Sequence, residues 1–193
     1  RVKNNMQVIS SLLSIQAEGV DDEVYSSLLN ESQQRIKSMT LIHESLYQSK
    51  DLLNIDFQEY IELLTNSLSR SYVVPGVSVF VDVNVENVVL DLETAVPCGL
   101  IINELVSNSL KHAFHDKDET GIIDIDFVTT DCSFDLRISD NGSGLPPDFD
   151  LSQNTSMGLE IVTILTDQLE GSLSAHNDDG AVFQISFPRT INE

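Results

Sequence analysis

The chain first changes its hydrophobic period at Pro75–Gly76, and that change limits the folds open to it. Before this pair, apolar residues recur three and four apart; after it, Val77, Val79, Val81 and Val83 alternate with Ser78, Phe80, Asp82 and Asn84. A period near 3.6 buries one stripe of a helix and a period of 2 buries one face of a strand, so neither pattern can serve as the other. The first part must therefore be helical and the second must contain sheet. Two further alternating runs follow: Ile123, Ile125 and Phe127 against Asp124 and Asp126, then Phe134, Leu136 and Ile138 against Asp135 and Arg137, with Thr129 to Cys132 as the turn between them. Ser172 to His176 and Ala181 to Phe187 give another pair across Asn177–Asp178–Asp179–Gly180, and Val88 to Leu90 is expected to add a short strand. Hairpinned strands with helices on one face make an α+β sandwich whose sheet is mostly antiparallel.

In the helical part, Val2, Met6, Ile9, Leu13 and Ala17 follow a near-heptad seam that Gly19, Asp21 and Asp22 break. A second helix runs from roughly Glu23 to Gln48, with Leu28, Leu29, Ile36, Met39, Ile42, His43 and Leu46 on its apolar side. Two helices alone bury little, so this hairpin is expected to pair with a second copy as half of a dimeric four-helix bundle. Asp51 to Asp56 reads as a linker, with Asp56 capping a helix from Phe57 to about Tyr72. Pro97 suits the first turn of a later helix. The expected units are thus a hairpin over 1–50 and a second domain over 56–190.

The formal net charge is −21, from 31 acidic and 10 basic residues among 193. That argues against nucleic acid or an anionic membrane as the main partner, since both require positive charge. Cys98 and Cys132 lie apart in apolar segments and are expected to be buried free thiols. No run of 18 apolar residues and no signal peptide occurs, and the opening at Arg1, already inside a helical pattern, reads as a piece of a longer, cytoplasmic protein whose upstream part has room for a membrane anchor.

Chemistry concentrates in IINELVSNSLKHAF, 101–114. On a helix Glu104, Asn108 and Lys111 share one side, with His112 one step round. An amide oxygen is a hard ligand, a lysine a point charge for phosphate, and a glutamate a base, a set that suits a divalent cation held between protein and phosphate. Downstream, Asp140 ends a strand and can accept a hydrogen bond from an amino group, while Gly142 and Gly144 let the backbone approach a flat ligand. A long aperiodic loop follows. Gly158 then opens a helix whose first N–H groups can hold phosphate, or which Ser156 simply caps.

In this order the E-x-x-x-N-x-x-K-H helix, the D-x-G-x-G run, the loop and the glycine-led helix resemble the nucleotide-binding (Bergerat) domain of the GHKL ATPases: histidine kinases, Hsp90, DNA gyrase B and MutL. The resemblance covers about Asp56 to Pro188. It implies that Glu104 lies near the attacked phosphate, that Asn108 binds Mg²⁺, and that Lys111 and His112 approach phosphate. It implies also that Asp140 takes the adenine amino group, that Gly142 and Gly144 line the base, and that Gly158 and Leu159 meet the phosphates of ATP. Where these kinases usually carry threonine on the last strand, this chain has Ala181. The first residues, RVKNNMQ, are similar to the phosphoacceptor helix of sensor histidine kinases of the HisKA_2 type, close to the HWE kinases, whose acceptor histidine stands directly before the arginine. Arg1, Lys3 and Asn4 would then support that histidine, while His43, His115 and His176 are read as packing or solvated residues.

The resemblance implies a protein-histidine kinase of a two-component system. It would bind ATP and Mg²⁺, work as a homodimer below an upstream sensor domain, and pass phosphate to a response regulator receiver domain. The alternatives are a GHKL ATPase with a conformational cycle, or a degenerate nucleotide-binding dimerisation module.

Overall fold

A computed structural model describes residues 2–18, 22–48, 57–72, 76–115, 120–153 and 156–189. Helices α1 (Val2–Glu18) and α2 (Glu23–Gln48) form the hairpin, and α3 is Phe57–Ser71. The expected hairpin break at Gly19 and Asp21, the linker at Asp51, the Asp56 cap and Pro75 lie outside the described residues. After them come β1 (Val79–Glu86), α4 (Leu92–Asn108), β2 (Gly121–Thr129), β3 (Ser133–Asp140), α5 (Met157–Gln168), β4 (Ser172–Asn177) and β5 (Ala181–Pro188).

The five strands form one sheet in the order β1-β2-β3-β5-β4. β1 and β2 run parallel, Val79 opposite Gly121, and the other three pairings are antiparallel. The parallel pair follows from connectivity: α4 carries the chain back across the sheet between β1 and β2, a crossover no hairpin could make. Burial alternates along β1 to β3, so one face of the sheet packs against α3, α4 and α5 and the other meets water.

Two expectations fail here for physical reasons. Val88 to Leu90 is no strand, although Val88 and Leu90 are buried and Val89 is exposed. Alternation reports which side chains point inward, not whether the backbone finds a partner, and Asn87 at φ 55° turns the chain out of the line of β1. Pro97 lies inside α4 rather than in its first turn, because the helix starts earlier: Asp91 is the N-cap, its carboxylate accepting from the Thr94 N–H at 2.9 Å.

α4 is buried nearly all round, with Ala95, Cys98, Ile101, Ile102, Leu105 and Val106 each at 1% exposure or less. Such a helix carries no wet face of its own, and each of its Ile, Leu and Val side chains stabilises by about 1.5–3 kcal/mol when fully buried. α2 and α3 close over it. Ile42 and Tyr60 are fully buried against Gly99, where a β-carbon would collide with both, and the Ser38 and Tyr60 hydroxyls bond at 3.2 Å. The hairpin is therefore packed into the core of the second unit through α2.

The cysteines divide. Cys98 is buried, and burial pushes its thiol pKa up; Cys132 is exposed, which corrects the expectation for it, since a residue in the β2–β3 turn has nothing to cover it. A thiol reagent such as DTNB is expected to titrate one thiol in the native chain and the second only after unfolding. Two fast native thiols would contradict this packing of α4.

Candidate functional site

α4 does not end as an ordinary helix. Residues Ser109–Ala113 continue it as one wider π turn. Such turns insert a residue into the helical ladder and occur often at functional sites. Here the turn breaks the simple face expected for Glu104, Asn108 and Lys111. Glu104 and Asn108 stay together, both near the start of α5: a β-carbon on Gly158 would lie 3.0 Å from Glu104 Oε2 and 3.7 Å from the Asn108 amide. Lys111 is carried away toward α2 and α3, where its Nζ donates to Glu31 Oε1 at 2.7 Å and lies 5.1 Å from the centre of the Tyr72 ring. His112 is neighbour to Lys111; partial burial, then that positive charge, lowers its pKa and favours its neutral form.

Asp140, at the end of β3, is 6% exposed and its carboxylate is held from three sides. Oδ1 accepts from the N–H groups of Gly142 at 3.0 Å and Ala181 at 3.3 Å, and Oδ2 accepts from the Ser109 hydroxyl at 2.7 Å. An ionised carboxylate offers about four lone-pair sites, so one acceptor position on Oδ2 stays available to a ligand donor. Gly142 is required by space: a β-carbon there would run into the backbone carbonyl of Ala113, at the end of the π turn. Gly144, at φ 74°, packs instead on Asn177, whose amide holds the Leu145 N–H at 2.7 Å and C=O at 2.9 Å. Ser156 caps α5 by accepting from Leu159 N, leaving Met157 and Gly158 in the first turn. The sequence reading missed Ser109, which passes for one more position of a long helix.

It also missed the hairpin's part. Glu104 is 5% exposed, and Arg35 of α2 meets it with a two-pronged bond, Nε to Oε1 at 2.7 Å and Nη2 to Oε2 at 2.8 Å. Asn103 adds a third donor to Oε1 at 3.1 Å. The hydrogen bond to Glu104 raises the Arg35 pKa, against the desolvation that lowers it. Glu31 lies between the two cations, 2.7 Å from Lys111 and 3.6 Å from Arg35. Of the other expected residues, Asn4 is exposed on α1, while Arg1 and the Lys3 side chain lie outside the described residues. His43 is half-buried, and His115 and His176 are exposed.

Residues 93–191 match the family "Histidine kinase-, DNA gyrase B-, and HSP90-like ATPase", and residues 1–72 match the family HisKA_2, "Histidine kinase". The chain belongs to the histidine kinases of that ATPase family. It is 35% identical over 181 residues to the sensor histidine kinase PdtaS of Mycolicibacterium smegmatis, across 92% of this chain and 35% of that protein. To the protein of the same name from Mycobacterium tuberculosis it is 34% identical over 177 residues, across 90% of this chain and 34% of that one. The chain thus spans about a third of the length of these relatives. A histidine kinase domain from a blue-light-activated histidine kinase of Erythrobacter litoralis has the same fold, with a TM-score of 0.71 at 18% identity, covering 96% of this chain and 94% of that one. The kinase core therefore has its α+β architecture and its helical hairpin in common with known members.

Removing the Ser109 hydroxyl would strip the Asp140 carboxylate of a buried, charge-assisted donor, which costs about 1–3 kcal/mol. Urea unfolding of Ser109→Ala is expected to show that loss, with Ser109→Thr close to the parent. An Ala variant as stable as the parent would mean that the bond holds nothing.

Proposed function

We propose that this core binds ATP with Mg²⁺ and transfers the γ-phosphate to a histidine nitrogen, for relay to an aspartate on a response regulator receiver domain. The observation that carries the reading is Asp140: a buried carboxylate fixed by Ser109, Gly142 and Ala181, with acceptor capacity left on Oδ2. An adenine amino group is the matching donor. The Ala181 position keeps a backbone bond to Asp140 although it lacks a threonine hydroxyl, and Ser109 supplies a hydroxyl from the other side.

With the base on Asp140, the phosphates would extend past Asn108 to the first turn of α5, where the dipole at a helix start favours anions. Gly158 and Leu159 stand at that turn, and Lys111 and His112 on the π turn. For Mg²⁺ the donor set fits a phosphate-bridged ion rather than a protein cage. Among the described residues no three His, Cys, Asp or Glu side chains converge, and the Asn108 amide oxygen is the hard ligand beside the phosphate path. The ion would neutralise phosphate charge there. Lys111 would add a fixed positive charge, so the chain contributes mostly positioning and electrostatics. By the resemblance, Glu104 would take the imidazole proton or fix the ring's tautomer.

The acceptor is the histidine that the HisKA_2 resemblance puts directly before Arg1, supported by Arg1, Lys3 and Asn4. The hairpin supports a homodimer, since Val8, Leu12 and Ile15 on α1 are 55–66% exposed and a second copy would cover them. Among the described residues no helix is long and apolar enough to cross a membrane; an upstream sensor domain and a cytoplasmic site of action belong to the proposal.

Asp140→Asn removes a charged acceptor, a bond worth about 1.5–3 kcal/mol, so calorimetry is expected to show Mg·ATP binding about 10- to 100-fold weaker with the circular dichroism unchanged. Equal affinity in the variant would refute the adenine assignment.

A further inference from the structure

The two groups that the proposed transfer needs free are both held by the hairpin. Lys111 has a carboxylate oxygen of Glu31 at 2.7 Å, where a phosphate oxygen would sit. Glu104 has the Arg35 guanidinium across both its oxygens. The same guanidinium reaches the mouth of the phosphate site, with Nη1 3.5 Å from Met157 Sδ in the first turn of α5. Glu31 and Arg35 stand four apart on one face of α2, so a single helix face closes on Glu104, Lys111 and the α5 start together.

The level of this contact along the hairpin gives its sign. Thr40 of α2 lies beside Met6 of α1, hydroxyl to sulfur 3.5 Å. The two helices are antiparallel neighbours, so Arg35, five residues nearer the hairpin turn than Thr40, is level with about Ser11. That places Glu104 about 14 Å along the hairpin from Val2, nine residues at 1.5 Å each. The acceptor expected before Arg1 is farther still, and a partner copy related by a two-fold axis parallel to the bundle would carry its own acceptor at the same level. In this arrangement Glu104 stands away from the end of the hairpin at which the proposed function puts the acceptor.

We propose that Glu31 and Arg35 form an autoinhibitory clasp. Glu31 is a built-in competitor for nucleotide phosphate on Lys111, and Arg35 locks Glu104 away from the acceptor end of the hairpin. The apolar contact of Ile42 with Gly99 and Tyr60 lies about two helical turns from Arg35 and serves as the pivot that stays packed when the clasp opens. Phosphate entering the site takes Lys111 from Glu31, and the nucleotide unit is then free to swing along the hairpin. The inference rests on the proposed nucleotide reading only for what displaces Glu31; the clasp itself is a contact between α2 and α4.

The test has two arms on the intact chain. In the first, spin labels on the native exposed Cys132 and on Ser11→Cys report the distance between hairpin and nucleotide unit without any nucleotide. One narrow distance is expected for the parent and a longer, broader distribution for Glu31→Gln and Arg35→Gln. An unchanged distribution in folded variants would overturn the clasp whatever the chain binds. In the second, calorimetry with Mg·ATP is expected to show Glu31→Gln binding about three- to tenfold tighter than the parent, with the gain shrinking at high salt because exposed edges of the clasp are screened. Equal or weaker binding by Glu31→Gln would overturn the competition. A widened distance in the first arm with no ATP bound by any variant would leave the clasp standing and remove the nucleotide reading instead.

Discussion

A carboxylate at 5% exposure has to be paired, and that requirement ties the two halves of this chain together. Glu104 sits on a helix with almost no wet surface, and its carboxylate is satisfied there because Arg35 arrives from α2 with both prongs and Asn103 adds a third donor. Desolvating an ion pair is costly, and removing one partner of a buried pair typically costs about 3–5 kcal/mol because the other charge is stranded. Such a pair gives little net stability, yet it specifies one arrangement sharply. α2 cannot slide or rotate against α4 without parting Arg35 from Glu104. The docking of hairpin on nucleotide unit is thus set by charge at one end and by Ile42 against Gly99 at the other.

The second organising group is Asp140. Its three donors come from the π turn, the loop after β3 and the start of β5, so one side chain fastens three separate elements together. The π turn makes this possible by widening the end of α4, so that Ser109 faces Asp140 while Asn108 still faces Gly158. The carboxylate fastens the fold there, so on the proposed reading the rigidity that a nucleotide would meet is provided before it binds.

Much of this was legible in the sequence, and the failures have causes. The bounds of α2 and the inward faces of β1 to β3 follow from periodicity, and the spacing that put Glu104 and Asn108 on one side of a helix matches their common position beside Gly158. The π turn was not legible, since nothing in SLKHA departs from helical spacing. Glu31 and Arg35 were invisible for a different reason: an acid four residues before a base is what a solvated helix face normally carries, and only packing turns these two toward Glu104 and Lys111. Cys132 was readable after all, because its place in a hairpin turn argues for exposure more strongly than the apolar residues around it argue for burial. Pro97 misled because a proline is tolerated a turn and a half into a helix at the loss of one bond near the start, and Asp91 with Thr94 was the better signal for where α4 begins.

The central claim is that Asp140, Asn108 and the start of α5 form one nucleotide site that Glu31 and Arg35 close from the hairpin. A crystal structure of this chain with Mg²⁺ and a non-hydrolysable ATP analogue tests it most directly. The account predicts the adenine amino group on Asp140 Oδ2, the metal on Asn108, phosphate oxygens at the N–H groups of Gly158 and Leu159, and Lys111 turned from Glu31 to phosphate. A nucleotide bound elsewhere, or bound in this cleft with the Lys111–Glu31 bond intact, would contradict it.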